Sequence, residues 1–144
     1  MQRHPDDHDL SLSAVMDQYG HLNEVGNYDK EWFQTDGEVD EDEFNASRER
    51  LRAATDAFEE AKAWIRTVLT SRTKHVNKKT TSSYGLKHIA EKECKSGFVS
   101  NGTFIAAMIA CGFLCDDDPS PHFNLSKKCD DDANQRWNMI LKQK

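Results

Sequence analysis

Residues Ser83 to Phe113 read SYGLKHIAEKECKSGFVSNGTFIAAMIACGF, the densest apolar run in an otherwise polar chain. Within it, Leu86, Ile89 and Ala90 recur at helical spacing, with Tyr84 and Cys94 beside them, and predict a helix from about Tyr84 to Cys94. Lys87, His88, Glu91, Lys92 and Lys95 then face outward. Gly97 suits the left-handed position after a helix, and Phe98 and Val99 pack back. Ser100 or Asn101 caps a second helix over Gly102 to Cys111. Phe104 to Cys111 is apolar on every side, so this second helix is a buried one. Gly112 ends it, and Phe113 and Leu114 continue the core.

A helix, a connector and a helix invite comparison with DNA-reading helix-turn-helix units. In those units the second helix turns polar side chains toward base edges. Here it has none between Phe104 and Cys111, and the connector exceeds the usual turn of about 3 to 4 residues. The pair is therefore scaffold, and the working surfaces are what it holds in place.

Upstream, Leu12, Val15, Met16, Tyr19 and Leu22 predict a helix over Leu10 to Leu22, capped by Ser11 or Ser13 and ended by Gly20. Residues 1–9 read as a disordered acidic tail. Tyr28, Trp32 and Phe33 pin a loop. The run Asp36 to Glu43, DGEVDEDE, has alternating carboxylates at Asp36, Glu38, Asp40 and Asp42. It is no EF-hand, because Glu41 stands where the loop needs Gly and Ser47 where it needs Glu. It reads instead as acid at a helix N-terminus. That helix spans residues 43–70, with a heptad seam of Phe44, Ser47, Leu51, Ala54, Phe58, Ala61, Ile65 and Val68. At about 1.5 Å per residue it would run roughly 40 Å, too long for one small domain to cover. Either it forms a homodimer through the 44–68 seam or it packs antiparallel on the Leu12 helix.

Residues 71–83 form a basic linker with Arg72, Lys74, His75, Lys78 and Lys79. After the central pair, Asp116 to Pro121 is a polar turn. His122 to Ser126 alternates like a short strand, with Gly97 to Ser100 as one possible partner. Asp130 to Asp132 then caps a last helix over Ala133 to Lys142. The fold class expected is mostly α with a minor hairpin or strand: an acidic helical region over 10–70, the basic linker, and a small helical domain over 84–144.

The 144 residues carry a net charge of −6 that is unevenly distributed. Met1 to Ala61 holds 17 acidic and 5 basic residues, whereas Lys62 to Lys144 holds 8 acidic and 14 basic. Such asymmetry points to a polyanionic partner for the basic part, or to solvated faces that keep the chain soluble. There is no apolar run of about 18 residues and no apolar core behind Met1, so neither a membrane span nor a secretory signal is expected and a cytoplasmic location follows by default.

Cys111, Cys115, His122 and Cys129 contain ligand types for zinc, but without a Cys-x-x-Cys knuckle and with Cys111 in the apolar helix the cysteines read as buried thiols. No P-loop, G-x-S-x-G or H-E-x-x-H occurs. Pairing Cys94 with His88 or His122 as nucleophile and base rests on residue type alone. No enzyme activity, cofactor or metal is expected.

Asn77-Lys78, Ser83-Tyr84, Leu86-Lys87-His88 and Glu91, then Gly97 to Gly102, Phe104 to Ala107, Ile109 and Gly112-Phe113, and finally Phe123 to Ser126 fit a recurring pattern. On these residues, about a third of the chain, the sequence resembles an uncharacterised family of small bacterial proteins carried by phages and other mobile elements. The resemblance implies a mobile-element setting and no catalytic residue. Small proteins of that setting suggest two functions by analogy. One is a nucleic-acid-binding accessory acting through Arg72, Lys74, Lys78, Lys79, Lys87 and His88. The other is an inhibitor of a host nuclease complex, anti-CRISPR-like or antirestriction-like, acting through Asp36, Glu38, Asp40, Asp42, Glu43, Glu49, Asp56, Glu59 and Glu60.

Overall fold

The computed structural model describes residues 9–142. The expected disordered tail lies outside these residues except for Asp9, whose carboxylate accepts from Lys62 (3.0 Å) and Arg66 (2.8 Å). The architecture is mostly α. Six helices, α1 (Leu12–Gln18), α2 (Glu41–Ala53), α3 (Thr55–Val68), α4 (Ser83–Glu91), α5 (Asn101–Ala110) and α6 (Lys127–Lys142), accompany one two-stranded hairpin, β1 (Gln34–Thr35) and β2 (Glu38–Val39). None of the helices is long and apolar enough to cross a membrane.

Helix α5 is the centre, and every one of its residues is buried. A helix apolar on all sides loses its exposed area only when neighbours cover all of it. Three do so: α3 through Phe58, Ala61, Trp64 and Ile65, α1 through Leu12, Val15 and Met16, and α4 through Leu86, Ile89 and Ala90. Each large side chain enclosed this way contributes on the order of 2 kcal/mol. Around this layer α2 touches α1 and α6 touches α4.

The N-terminus of α5 is where the loops converge. Ser100 caps it, its Oγ accepting the Thr103 N–H at 3.1 Å. The next free donor, the Gly102 N–H, reaches the Glu24 carbonyl at 3.1 Å. Asn101 donates through Nδ2 to the Val25 carbonyl and to Ser120 Oγ, each at 3.0 Å, and accepts from the Ser83 hydroxyl at 2.8 Å. Asn23, fully buried, donates to the carbonyls of His21 and Tyr28 and accepts from Val25 N–H and the Ser47 hydroxyl. The loops 21–28 and 118–121 and helices α2 and α4 are thereby joined at one point. Buried polar groups so paired cost little, and unpaired they would cost about 1–3 kcal/mol each. Gly102 is required because the backbone of Asn23 lies against it: a Cβ there would sit 1.7 Å from the Asn23 carbonyl oxygen.

The structure corrects several sequence expectations. The helix expected over residues 43–70 is two helices. At Ala54 the N–H bonds back three residues to Leu51, and the chain changes direction before α3. Leu51 and Phe58, on either side of the break, are both buried. Ser47, Leu51, Phe58, Ala61 and Ile65 of the seam face the chain's own interior, so a homodimer through them would have to open the core. The hairpin lies over residues 34–39, where Asp36 (φ 55°) and Gly37 (φ 81°) supply the two positive φ values that a tight turn with matched strand twist needs.

The segment 122–126 is extended, but it forms isolated bridges rather than a sheet, and its partners are not Gly97 to Ser100. It runs between 71–77 on one side and 114–116 on the other, with Asn124 bonded to Thr73 and Leu114 through both backbone and side chain. The basic linker is thus held by the fold along its length. Helix α6 begins at Lys127, six residues before the expected start, because Ser126 Oγ accepts the Cys129 N–H and caps it there.

Gly102→Ala is expected to lower stability by about 3 kcal/mol or more, whereas Gly20→Ala, with open space around its Cβ position, should change it by less than about 0.5 kcal/mol. Urea unfolding midpoints of the two variants check this.

Candidate nucleic-acid interface

The segment from Arg72 to Lys95 carries seven Lys or Arg residues and two carboxylates. Both carboxylates are engaged. Glu91 accepts from Lys87 at 2.6 Å. Glu93 accepts from Arg136 at 2.7 Å and from the Trp64 indole N–H at 2.9 Å, which ties α3 and α6 to the end of α4. The Arg136 bond, then the Trp64 bond, hold the Glu93 carboxyl below its ordinary range against the opposing effect of burial. The face is therefore positive because of the cations that remain.

Those cations divide into two groups. Lys74, Lys78 and Lys79 are exposed, and no carboxylate among the described residues lies in ion-pair range of them. The turn presenting Lys78 and Lys79 is fixed by Asn77: its carbonyl accepts the Thr80 N–H (3.2 Å) and hydroxyl (2.7 Å), and its Oδ1 accepts the Lys79 N–H (3.2 Å). That turn leads directly into α4, whose positive end adds to the local potential.

The other group is engaged in the fold. Arg72 lies over the Phe113 ring, 5.1 Å from its centroid, and donates to the Gly112 carbonyl at 3.1 Å. Lys87, expected to face outward, is only 7% exposed. Its ammonium sits over the rings of Tyr84 (5.5 Å) and Phe98 (5.4 Å) while it pairs with Glu91. His88 is exposed, with its ring edge-to-face against Tyr84 at 4.5 Å.

Tyr84 and Phe98 are 55% and 62% exposed, and sequence reasoning placed both in or beside the core. The available signal was alternation. Phe98 and Val99 are neighbours in an extended connector, so their side chains point opposite ways and only one can be buried. Val99 is fully buried, and Phe98 therefore faces solvent.

The acidic residues separate similarly. Asp40 caps α2 by accepting from Glu43 N–H and also takes the Thr35 hydroxyl. Glu43 pairs with Arg50, Glu49 with Arg52, Glu59 with Lys62, and Glu60 accepts from Ser96. Asp36, Glu38, Asp42 and Asp56 are exposed. The backbone of the basic segment pairs with residues 121–126, away from the acidic hairpin.

The cysteines do not converge. The Cys111 thiol points at the Lys62 carbonyl and the Cys129 thiol at the Val68 carbonyl. Burial pushes the thiols of Cys94 and Cys111 up, and that of Cys115 to about 11, so none is a ready nucleophile. The one metal-ligand-type group among the described residues is Asp116, Asp118 and His122, where Asp116 already accepts the N–H groups of Asp118 and His122. In comparison with known proteins, the chain matches no family model, no curated protein and no solved structure.

Lys87→Ala, which removes a buried ion pair and the stem beneath two rings, should lower stability by about 2 kcal/mol. Lys74→Ala, Lys78→Ala and Lys79→Ala should each stay within about 0.5 kcal/mol of the parent in the same urea titration.

Proposed function

We propose that this chain is a non-enzymatic accessory or regulator that binds nucleic acid through the face carrying Lys74, Lys78, Lys79 and His88. The observation that carries the reading is the hydrogen-bonded Asn77–Thr80 turn, which presents two lysines that have no carboxylate partner among the described residues, just before the positive end of α4. Fixed, unpaired ammonium groups suit phosphate oxygens, and such contacts supply affinity without reading sequence. The mobile-element setting implied by the resemblance agrees with a small protein of this kind. Arg72 and Lys87 leave the contact set because each already has partners within the fold.

The inhibitor reading draws less support. It needs an acidic surface to occupy a partner's basic channel, and five of its nine carboxylates are engaged by Arg50, Arg52, Lys62, Ser96 and the α2 cap. A partner would meet a surface already partly neutralised.

Fluorescence anisotropy with a labelled oligonucleotide, between about 50 and about 200 mM salt, tests the proposal. Binding should weaken steeply with salt, and each of Lys74→Ala, Lys78→Ala and Lys79→Ala should reduce the slope of log K against log salt by about one. Absence of binding at the low-salt end, or slopes unchanged in all three variants, would remove it.

A further inference from the structure

Lysines explain attraction to any polyanion, but they do not explain the two exposed aromatic rings that follow them in the chain. Tyr84 and Phe98 are more than half exposed although their rings are as apolar as those of the core. They are also held in position. One face of each ring is covered by the same Lys87 ammonium, which Glu91 anchors at 2.6 Å. Tyr84 is further braced by the His88 ring at 4.5 Å. A clamped ring loses little rotamer freedom on contact, so an apolar surface presented this way is ready for a flat ligand.

The surrounding charge restricts which flat ligand fits. Tyr84 stands in the first turn of α4, immediately after the turn that carries Lys78 and Lys79. A ligand spanning both must carry negative charge at one point and an open π-face a short distance away. A nucleic-acid strand has this combination at every nucleotide. In a duplex, however, the base faces are stacked on one another and only phosphates and base edges are offered. Unpaired bases can stack on protein rings.

We infer, building on the reading above, that this face is selective for a single strand, with bases stacked on Tyr84 and Phe98 and phosphates held by the neighbouring lysines. DNA and RNA strands share this chemistry. The test measures anisotropy of short labelled oligo(dT), oligo(rU) and a mixed-sequence duplex of equal length, at constant low salt. The expected result is tighter binding to a single strand than to duplex, with the two oligonucleotide arms showing which strand is preferred. Tyr84→Leu and Phe98→Leu keep an apolar cover over Lys87 but remove the ring. Each should weaken single-strand binding by about tenfold and change duplex binding by less than about twofold, and Phe98→Trp should restore the affinity. Equal affinity for duplex and single strand, or equal weakening of both by the leucine variants, would overturn the inference and leave lysine-driven binding standing. Binding to none of the three probes would overturn both.

Discussion

Everything in this fold depends on how closely the backbone of Asn23 and Glu24 approaches the N-terminus of α5. The approach is possible only because residue 102 has no side chain. It allows the Glu24 carbonyl to take a helix donor that would otherwise be buried unpaired. Asn101, one residue earlier, then draws in Val25, Ser83 and Ser120. Three adjacent residues, Ser100, Asn101 and Gly102, thus tie the loops 21–28 and 118–121 and helix α4 to the start of the buried helix. The Gly102 and Thr103 N–H groups, which a helix N-terminus could have offered to an anion, are already taken. These residues are accordingly an organising element of the core.

The same division between engaged and available groups runs through the surface. Formal charge placed six basic residues in one set, but packing separates them. Arg72 and Lys87 use their long stems and cationic heads to cover aromatic rings, and Lys74, Lys78 and Lys79 retain solvated ammonium groups. Lys87 joins two elements, because its ammonium lies over both Tyr84 of α4 and Phe98 of the connector while it pairs with Glu91. Core and exposed surface therefore meet on α4, whose inner side contributes Leu86, Ile89 and Ala90 to the core.

How much of this was legible in the sequence varied with the kind of signal. Helix α5 was legible because an all-apolar helix has one physical solution, burial. Leu12, Val15 and Met16 announced α1 by spacing alone, and Phe123 and Leu125 announced their burial by alternation. The break at Ala54 left no mark, since neither Gly nor Pro is present and alanine favours helix. The hairpin did leave a mark in Asp36-Gly37, but the surrounding carboxylates drew the reading toward a helix N-terminus, which begins only after Asp40. Of the candidate site, the free lysines were legible from composition. The outward turn of Phe98 had a signal in its alternation with Val99, but the inward turn of Lys87 had none, because it is decided by contacts with Phe98 in the connector after Gly97.

The central claim is that α5, fixed at its N-terminus, is the element on which the other helices depend. Native-state amide hydrogen exchange tests it most directly. The account predicts that the amides of Phe104 to Ala110 exchange slowest, through global opening alone and with the free energy found by urea unfolding, while those of Gln34 to Val39 exchange far faster through local opening. If the α5 amides exchanged at the rate of the hairpin, or before those of α2 and α3, the account would be wrong.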